Sequence, residues 1–352
     1  MTAPAAHTPP GYAGLTPAQV LQALDDVGLH GDGRILQLNS YENRVFQVFL
    51  EDGRAVVAKF YRPARWSDAQ ILEEHAFALE LAAEEISVVP PLVLPPAPDT
   101  AHVPAGDADA EEPLQRLGAP PTLARRGIHR WAVAARCAGR EPDLDADNTL
   151  RQLGRFIGRM HVVGRRRRFE HRVALRPQVD GARSVRTLVD GGFVSDAERP
   201  AWQAAAAAAT AAITDAFDAA APVATLRLHG DCHPGNVLWR DIGPNVVDLD
   251  DAVQGPAVQD LWMLVSGDRT SMARQLDTLL DGYEQFTDFD HRERALIEPL
   301  RTLRMLRHSA WLAERWTDPS FPLNFPWFGT AAYWSQQTTQ LREQLEAMAD
   351  GG

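Results

Sequence analysis

The chain has 352 residues, 45% of them apolar, and 35 basic against 47 acidic residues leave a net charge of −12. That length supports two separate cores, and the acidic balance excludes a general nucleic-acid binder, which needs clustered Lys and Arg for phosphates. Two cysteines, Cys137 and Cys232, supply neither a disulfide framework nor a Cys-rich zinc site.

Met1–Thr16 has no basic residue and no apolar stretch of signal-peptide length, so no export signal is expected. No uninterrupted run of about twenty apolar residues occurs, so no membrane-spanning helix is expected either. The Ala-rich Ala204–Ile213 reads as a soluble helix. A cytoplasmic protein is the expectation.

Residues 1–15, rich in Pro, Gly and Ala, read as flexible. A short helix follows over Pro17–Val27, closed by Gly28. Arg34–Leu38 and Arg44–Leu50 are strand-like, and Glu51-Asp52-Gly53 makes a hairpin turn into Ala55–Tyr61. Over residues 68–84, Ile71, Leu72, His75, Leu79 and Ala82 share one helical face. Pro90–Pro121, dominated by Pro, Ala, Asp and Glu, reads as a loop insertion between strands. Trp131–Cys137 is a last strand, broken by Ala138–Pro142.

The chain then turns helical. Leu150–Val163 is a helix, and the Arg165–Arg168 run at its end is either a solvated terminus that suits the helix dipole or a patch for an anion or partner. Ala201–Phe217 is another, with Pro200 at its start. Two β-like runs, Thr225–Leu228 and Val237–Leu249, bracket a polar segment. The remainder is helical and Trp-rich. Trp311, Trp316, Trp327 and Trp334 serve there as core anchors or as the lining of a substrate groove, and Met263 and Met305 as core. There is no internal repeat.

The polar segment is His229-Gly230-Asp231-Cys232-His233-Pro234-Gly235-Asn236. An Asp followed five positions later by Asn has the spacing of a kinase catalytic loop, where the carboxylate orients the attacking hydroxyl and the amide oxygen holds magnesium. Gly235 is the residue expected to allow the tight turn. Val246-Val247-Asp248 then sets a carboxylate at the end of an apolar run, where a second magnesium ligand belongs. Upstream, Val56-Val57-Ala58-Lys59 ends a strand on a Lys able to pair with phosphates, and the next helix offers Glu73 and Glu74. The order Lys, Glu, Asp-x-x-x-x-Asn, Asp is the kinase order. A rival reading takes His229, Asp231 and His233 as ligands of a hydrolytic metal, but it leaves Lys59 and Asp248 without a role.

His229-Gly230-Asp231-x-His233-x-Gly235-Asn236 with Val247-Asp248 resembles the catalytic and metal loops of aminoglycoside phosphotransferases and choline kinases. Leu38–Val45, Lys59-Phe60-Tyr61-Arg62-Pro63, Leu72-Glu73-Glu74-His75, Asp260-Leu261-Trp262-Met263 and Asn324-Phe325-Pro326-Trp327 are similar to the bacterial stress response kinase A family. The resemblance covers roughly residues 15–345 and leaves 95–130 unmatched. It implies a cytoplasmic Ser/Thr protein kinase of stress responses that depends on ATP and magnesium.

Carried over residue by residue, the resemblance makes Asp231 the proton acceptor. Asn236 and Asp248 hold magnesium, Asp248 also positioning the phosphates. Lys59 contacts the ATP phosphates, paired with Glu74 or Glu73. Ser40 sits in the turn over the phosphates, Ala135–Cys137 form the hinge that binds adenine, and Asp260 buttresses the catalytic loop. There are departures from eukaryotic protein kinases. Asn39–Arg44 has no glycine, so backbone N–H groups and the Ser40 hydroxyl replace a Gly-rich cradle. Gly230 stands where those kinases have Arg, and Asp248-Leu249-Asp250 replaces D-F-G. Asp250 and Asp251 are either tuners of a second metal ion or a solvated acidic turn.

The expected fold is α+β, bilobal and protein-kinase-like. An N-terminal extension (1–29) with a short helix precedes a β-rich N-lobe (30–138) with its insertion at about 95–130, then a helical C-lobe (139–345), with ATP in the cleft. The expected reaction is transfer of the γ-phosphoryl group to a Ser or Thr hydroxyl of a protein, the chain itself included, by a monomer that engages neither nucleic acid nor membrane. A small-molecule kinase acting on an amino alcohol, sugar or antibiotic is the alternative. A pseudokinase is a third class, opposed by the complete set Lys59, Asp231, Asn236 and Asp248.

Overall fold

The computed structural model describes residues 12, 15–96 and 112–350. The chain divides into two compact units, one reaching to Arg140 and joined by Leu238–Asp250, the other made of Glu141–Val237 and Asp251 onward.

The first unit begins with helix α1 (Pro17–Asp25), started by a Thr16/Gln19 capping box. Strands β1 (Gly31–Gln37), β2 (Arg44–Leu50) and β3 (Ala55–Tyr61) follow, then helix α2 (Asp68–Ala83), capped in the same way by Ser67 and Gln70. Strands β4 (Gln115–Leu117), β5 (Leu123–Arg126) and β6 (His129–Ala135) complete a six-stranded antiparallel sheet of order β1-β2-β3-β6-β5-β4. Phe46, Val48 and Leu50 of β2 alternate inward, as do Val56, Ala58 and Phe60 of β3. Together with Val20 and Leu24 of α1 they form the core, where Phe60 stacks on Trp131 at 5.7 Å. Because the strand period is two, Lys59 points away from that core.

Helices α3 (Asp147–Gly164), α4 (Pro177–Asp190) and α5 (Arg199–Ala220) open the second unit and lead to β7 (Leu226–Leu228). The chain returns to the first unit through the hairpin of β8 (Val237–Arg240) and β9 (Gly243–Val246). It re-enters the second with β10 (Val253–Gly255), antiparallel to β7. Helices α6 (Arg269–Tyr283), α7 (Ile297–Glu314), α8 (Ser320–Asn324) and α9 (Ala331–Asp350) follow. Helix α3 lies close on α6, where a Cβ on Gly154 would stand 1.8 Å from the Leu279 carbonyl oxygen.

Several expectations are corrected. Residues 115–126, read as part of the insertion, form β4 and β5, while 97–111 lie outside the described residues. The flexible reading of 1–15 falls mostly outside them as well. Tyr12 is described, and its hydroxyl donates to the Glu42 and Phe60 carbonyls at 3.0 and 3.1 Å. Val237–Leu249 is two strands and a turn, and α4 had no counterpart in the sequence reading. Trp334 and Trp202 are fully buried and meet edge-to-face, Trp311 and Trp316 lie against the same core, and Trp327 is exposed. Among the described residues no helix is long and apolar enough to cross a membrane.

Candidate active site

Strand β3 delivers Lys59 and the turn after β9 delivers Asp248. Lys59 Nζ donates to Asp248 Oδ1 at 2.9 Å and stands 3.3 Å from Asp250 Oδ1. Burial works to lower the Lys59 pKa, but the two carboxylates overcome it and hold the ammonium well above its ordinary value. Asp248 has φ +62°, a left-handed conformation that costs a non-glycine residue about 1–3 kcal/mol. That turn leaves the Asp248 side chain half exposed while Asp250 is sealed. The expected partner of Lys59 was Glu74 or Glu73. Glu74 is buried and adds its field to Lys59, but its Oε2 stands 3.5 Å from the Tyr61 hydroxyl, and the ion pairs of Lys59 go to the two aspartates.

Asp250 is not a solvated acidic turn. It accepts from Asn43 Nδ2 at 3.0 Å and pairs with Arg65. Asn43 Oδ1 in turn accepts from the Arg62 backbone N–H, and the Glu42 carboxylate meets Arg62 at 3.0 Å and Arg65 at 3.7 Å. These contacts clip the glycine-free Asn39–Arg44 loop to the segment carrying Asp248. Ser40 lies half-buried in that loop. Of the expected hinge, Ala135 ends β6, the Arg136 N–H donates to the Ala55 carbonyl, and Cys137 Sγ accepts from Asn245 Nδ2 at 3.3 Å.

In the second unit the loop after β7 carries Asp231 and Asn236. Its turn needs Gly230, not Gly235: Gly230 has φ +85°, and a Cβ there would stand 2.2 Å from the Asp251 carbonyl oxygen. Asp260, fully buried, accepts from the His229 N–H through Oδ2 and the Gly230 N–H through Oδ1, both at 2.8 Å. His161 Nε2 lies 3.1 Å from Asp260 Oδ2, and the Tyr283 hydroxyl meets His161 Nδ1 at 2.9 Å. The expected buttress is therefore present. Asn236 Nδ2 donates to the Asp231 carbonyl at 2.9 Å, which reserves its amide oxygen for another ligand. A hard oxygen of this kind, like the exposed Asp248 carboxylate, suits magnesium.

Two side chains flank Asp231. Arg304 of α7 pairs with Oδ1, and His233 Nε2 lies 3.5 Å from Oδ2. Burial opposes ionisation of Asp231, but the Arg304 guanidinium holds its carboxyl below the ordinary range. His229 is buried with Nδ1 accepting from the Asp231 N–H at 3.3 Å, so it braces the loop. Among the described residues no group of three or more His, Cys, Asp or Glu is placed to hold a metal ion. Met263 and Met305, expected in the core, are half-buried and line an open pocket of about 420 Å³ together with His233 and Arg304.

A model described as the phosphotransferase enzyme family matches residues 34–297. The chain belongs to that family. This phosphotransferase is 41% identical over 336 residues to stress response kinase A of Salmonella choleraesuis, covering 95% of this chain and 94% of that one. It is equally similar, at 41% and the same coverage, to a Salmonella typhimurium protein named serine/threonine protein kinase RdoA. Stress response kinase A of Escherichia coli is 40% identical over 96% of this chain and 94% of its own. The chain is thus also a member of the stress response kinase A family. Among solved structures, an amicoumacin kinase in complex with AMP-PNP and calcium aligns with a TM-score of 0.65 at 16% identity, over 94% of this chain and 93% of that one. Spectinomycin phosphotransferase in complex with ADP aligns with a TM-score of 0.60 at 12% identity, over 95% and 98%. These likenesses establish the α+β kinase-like fold.

Sequence reasoning missed Arg62, Arg65 and Arg304 as site residues. Arg62 follows Lys59 at three positions, but nothing in its spacing names Asp250 as the centre of its network. Arg304 lies 73 residues from Asp231, and no local pattern joins the two.

Proposed function

We propose that the chain is an ATP- and magnesium-dependent Ser/Thr protein kinase of the stress-response type, working where ATP is supplied, in the cytoplasm. The observation that carries this reading is the Lys59–Asp248 pair, which sets an ammonium and a half-exposed carboxylate side by side. Lys59 is the cation for the ATP phosphates, and its raised pKa keeps it charged across the physiological range. Asp248 and the Asn236 amide oxygen would hold magnesium, which when bound offsets phosphate charge. The Asn39–Arg44 loop, with Ser40 in it, covers the phosphates.

Asp231 orients the acceptor. The Ser or Thr oxygen forms a bond to the γ-phosphorus, the bond from that phosphorus to the β–γ bridging oxygen breaks, and the hydroxyl proton passes to the Asp231 carboxylate as ADP leaves. The likeness to a protein named as a Ser/Thr protein kinase supports a protein acceptor. The low-identity solved structures, named for antibiotic substrates, carry the fold alone.

The test is to incubate the pure chain with labelled ATP and magnesium, with and without cell lysate. Label on Ser or Thr of protein is expected. Label confined to small molecules would replace this reading by a small-molecule kinase, and no transfer with no nucleotide binding would remove the enzymatic reading altogether.

A further inference from the structure

The pocket beside Asp231 is built within the second unit. Arg301, Arg304 and His308 follow one another on α7 at spacings of three and four, so they share a face. Trp262, two residues beyond the buttressing Asp260, forms a wall, and His233 of the catalytic loop forms the edge nearest Asp231. No Asp or Glu is among the residues lining it. In a chain with a net charge of −12, this is a local concentration of two guanidinium groups. Arg301 lies over the Trp262 ring at 5.5 Å and has Glu298 at 3.2 Å, while Arg304 remains half exposed. Burial, and then the charge of Arg304, lower the His308 pKa, so that ring adds no charge at neutral pH.

The Asp231 carboxylate is engaged on both sides by this lining. His233 Nδ1 accepts from the Gly235 N–H at 3.0 Å, so the neutral ring carries its proton on Nε2, toward Asp231 Oδ2. Arg304 holds Oδ1. The group that must accept the hydroxyl proton is therefore tied to the same arginine that faces the pocket.

We propose that this pocket receives an acidic side chain flanking the acceptor Ser or Thr of a peptide substrate, and that Arg304 exchanges the Asp231 carboxylate for that of the substrate as the peptide binds. The exchange frees Asp231 Oδ1 for the acceptor hydroxyl, so the acidic residue both anchors the peptide and unmasks the base. A guanidinium suits this role because it forks to carboxylate oxygens. This proposal rests on the protein-kinase reading and names the acceptor class for it.

The test uses the full chain with labelled ATP, magnesium and three sets of Ser-containing peptides: flanked by Asp or Glu, by Ala, or by Lys. One charge-assisted contact predicts that acid-flanked peptides are favoured over Ala-flanked ones by about tenfold or more in kcat/KM, with Lys-flanked peptides poorest. In Arg304→Gln the ratio of acid-flanked to Ala-flanked rates falls toward one, and in Arg304→Lys it is partly kept. The readout is the ratio, and unchanged melting and nucleotide titration show that each variant is folded. Peptide transfer without charge preference, or a preference unaltered in Arg304→Gln, overturns the pocket assignment and leaves the protein-kinase reading in place. Label on small hydroxy acids and on no peptide overturns the protein-kinase reading and the peptide occupant with it. In that case a preference for the hydroxy acid over its neutral amide analogue, abolished in Arg304→Gln, would still place an anion in the pocket.

Discussion

Asp260 Oδ1 accepts a hydrogen bond from the Gly230 backbone N–H at 2.8 Å, inside a pocket closed to water. Its other oxygen takes the His229 N–H, so one carboxylate fixes the two residues that precede Asp231. Burial lowers the His161 pKa against the opposing pull of Asp260, so His161 serves as a neutral donor to this carboxylate.

Asp260→Asn offers one acceptor oxygen where two backbone N–H groups need partners. The buried unpaired group costs about 1–3 kcal/mol, and the loop that aims Asp231 loosens. A lower melting temperature is expected together with a fall in turnover of about tenfold or more, since misplacing a reacting group is costly. Full activity in a variant of reduced stability would show that Asp260 holds the fold and not the base.

Asp248 and Asp250 have different tasks, and the two asparagine variants separate them. Asp248→Asn is expected to shift the magnesium concentration needed for half-maximal nucleotide binding upward, with little change in melting, because its side chain is half exposed. Asp250→Asn is expected to leave the magnesium dependence alone and to destabilise the fold by about 3–5 kcal/mol, the range for breaking a buried ion pair. Calorimetric titration and thermal melting of both variants make the check. A magnesium shift in Asp250→Asn would make that residue a metal ligand.

Glu293 is almost fully buried, and its Oε2 accepts from the Val258 N–H at 2.8 Å, just ahead of Asp260. Burial, which outweighs that hydrogen bond, pushes its pKa from 4.5 up to about 7. An acid with a higher pKa when folded binds more protons in the folded state, so stability is fully present at low pH and is lost as pH rises from about 4.5 to about 7. Glu293→Gln keeps an acceptor and removes the titration. It is expected to melt above the wild type at pH near 8, by a margin on the order of 2–3 kcal/mol, and to match it by pH near 5. A variant that melts below the wild type near pH 8 would contradict this.

The stretch from Asp248 to Asp260 contains no Ser, Thr or Tyr, and Ala252–Asp260 is buried throughout, with β10 paired to β7. Gly230 cannot be the phosphate-reading Arg of regulated kinases, since any Cβ would meet the Asp251 carbonyl. The site is therefore expected to assemble without phosphorylation of this segment. Phosphatase treatment followed by removal of the phosphatase is expected to leave initial rates unchanged. A large loss, restored by preincubation with ATP, would reveal a phosphorylation switch.

Strands β2 and β3 were legible to the residue, because β-branched and aromatic residues alternate between turn signals there. Lys59 and Asp248 stand out in the sequence because each closes a short apolar run, and Asp231 and Asn236 because an Asp is followed five positions later by an Asn. Strands β4 and β5 were hidden by the Pro- and Ala-rich composition around them, and their pairing with β6 is a tertiary fact that local propensity does not encode. The turn glycine was misassigned because Gly230 is required by a carbonyl twenty-one residues away. For Asp250 the sequence leaves a metal tuner and a solvated turn both open, because Asn43 and Arg65, which enclose it, are about two hundred residues distant.

The most direct measurement is phosphoryl transfer by Asp231→Asn beside the wild type, with labelled ATP, magnesium and protein acceptor, and with nucleotide affinity titrated on the same samples. The variant is expected to bind Mg·ATP with wild-type affinity and to transfer at less than about a hundredth of the wild-type rate, the scale of a positioned general base. A variant that kept more than about a tenth of the rate would contradict the assignment of Asp231 as the proton acceptor.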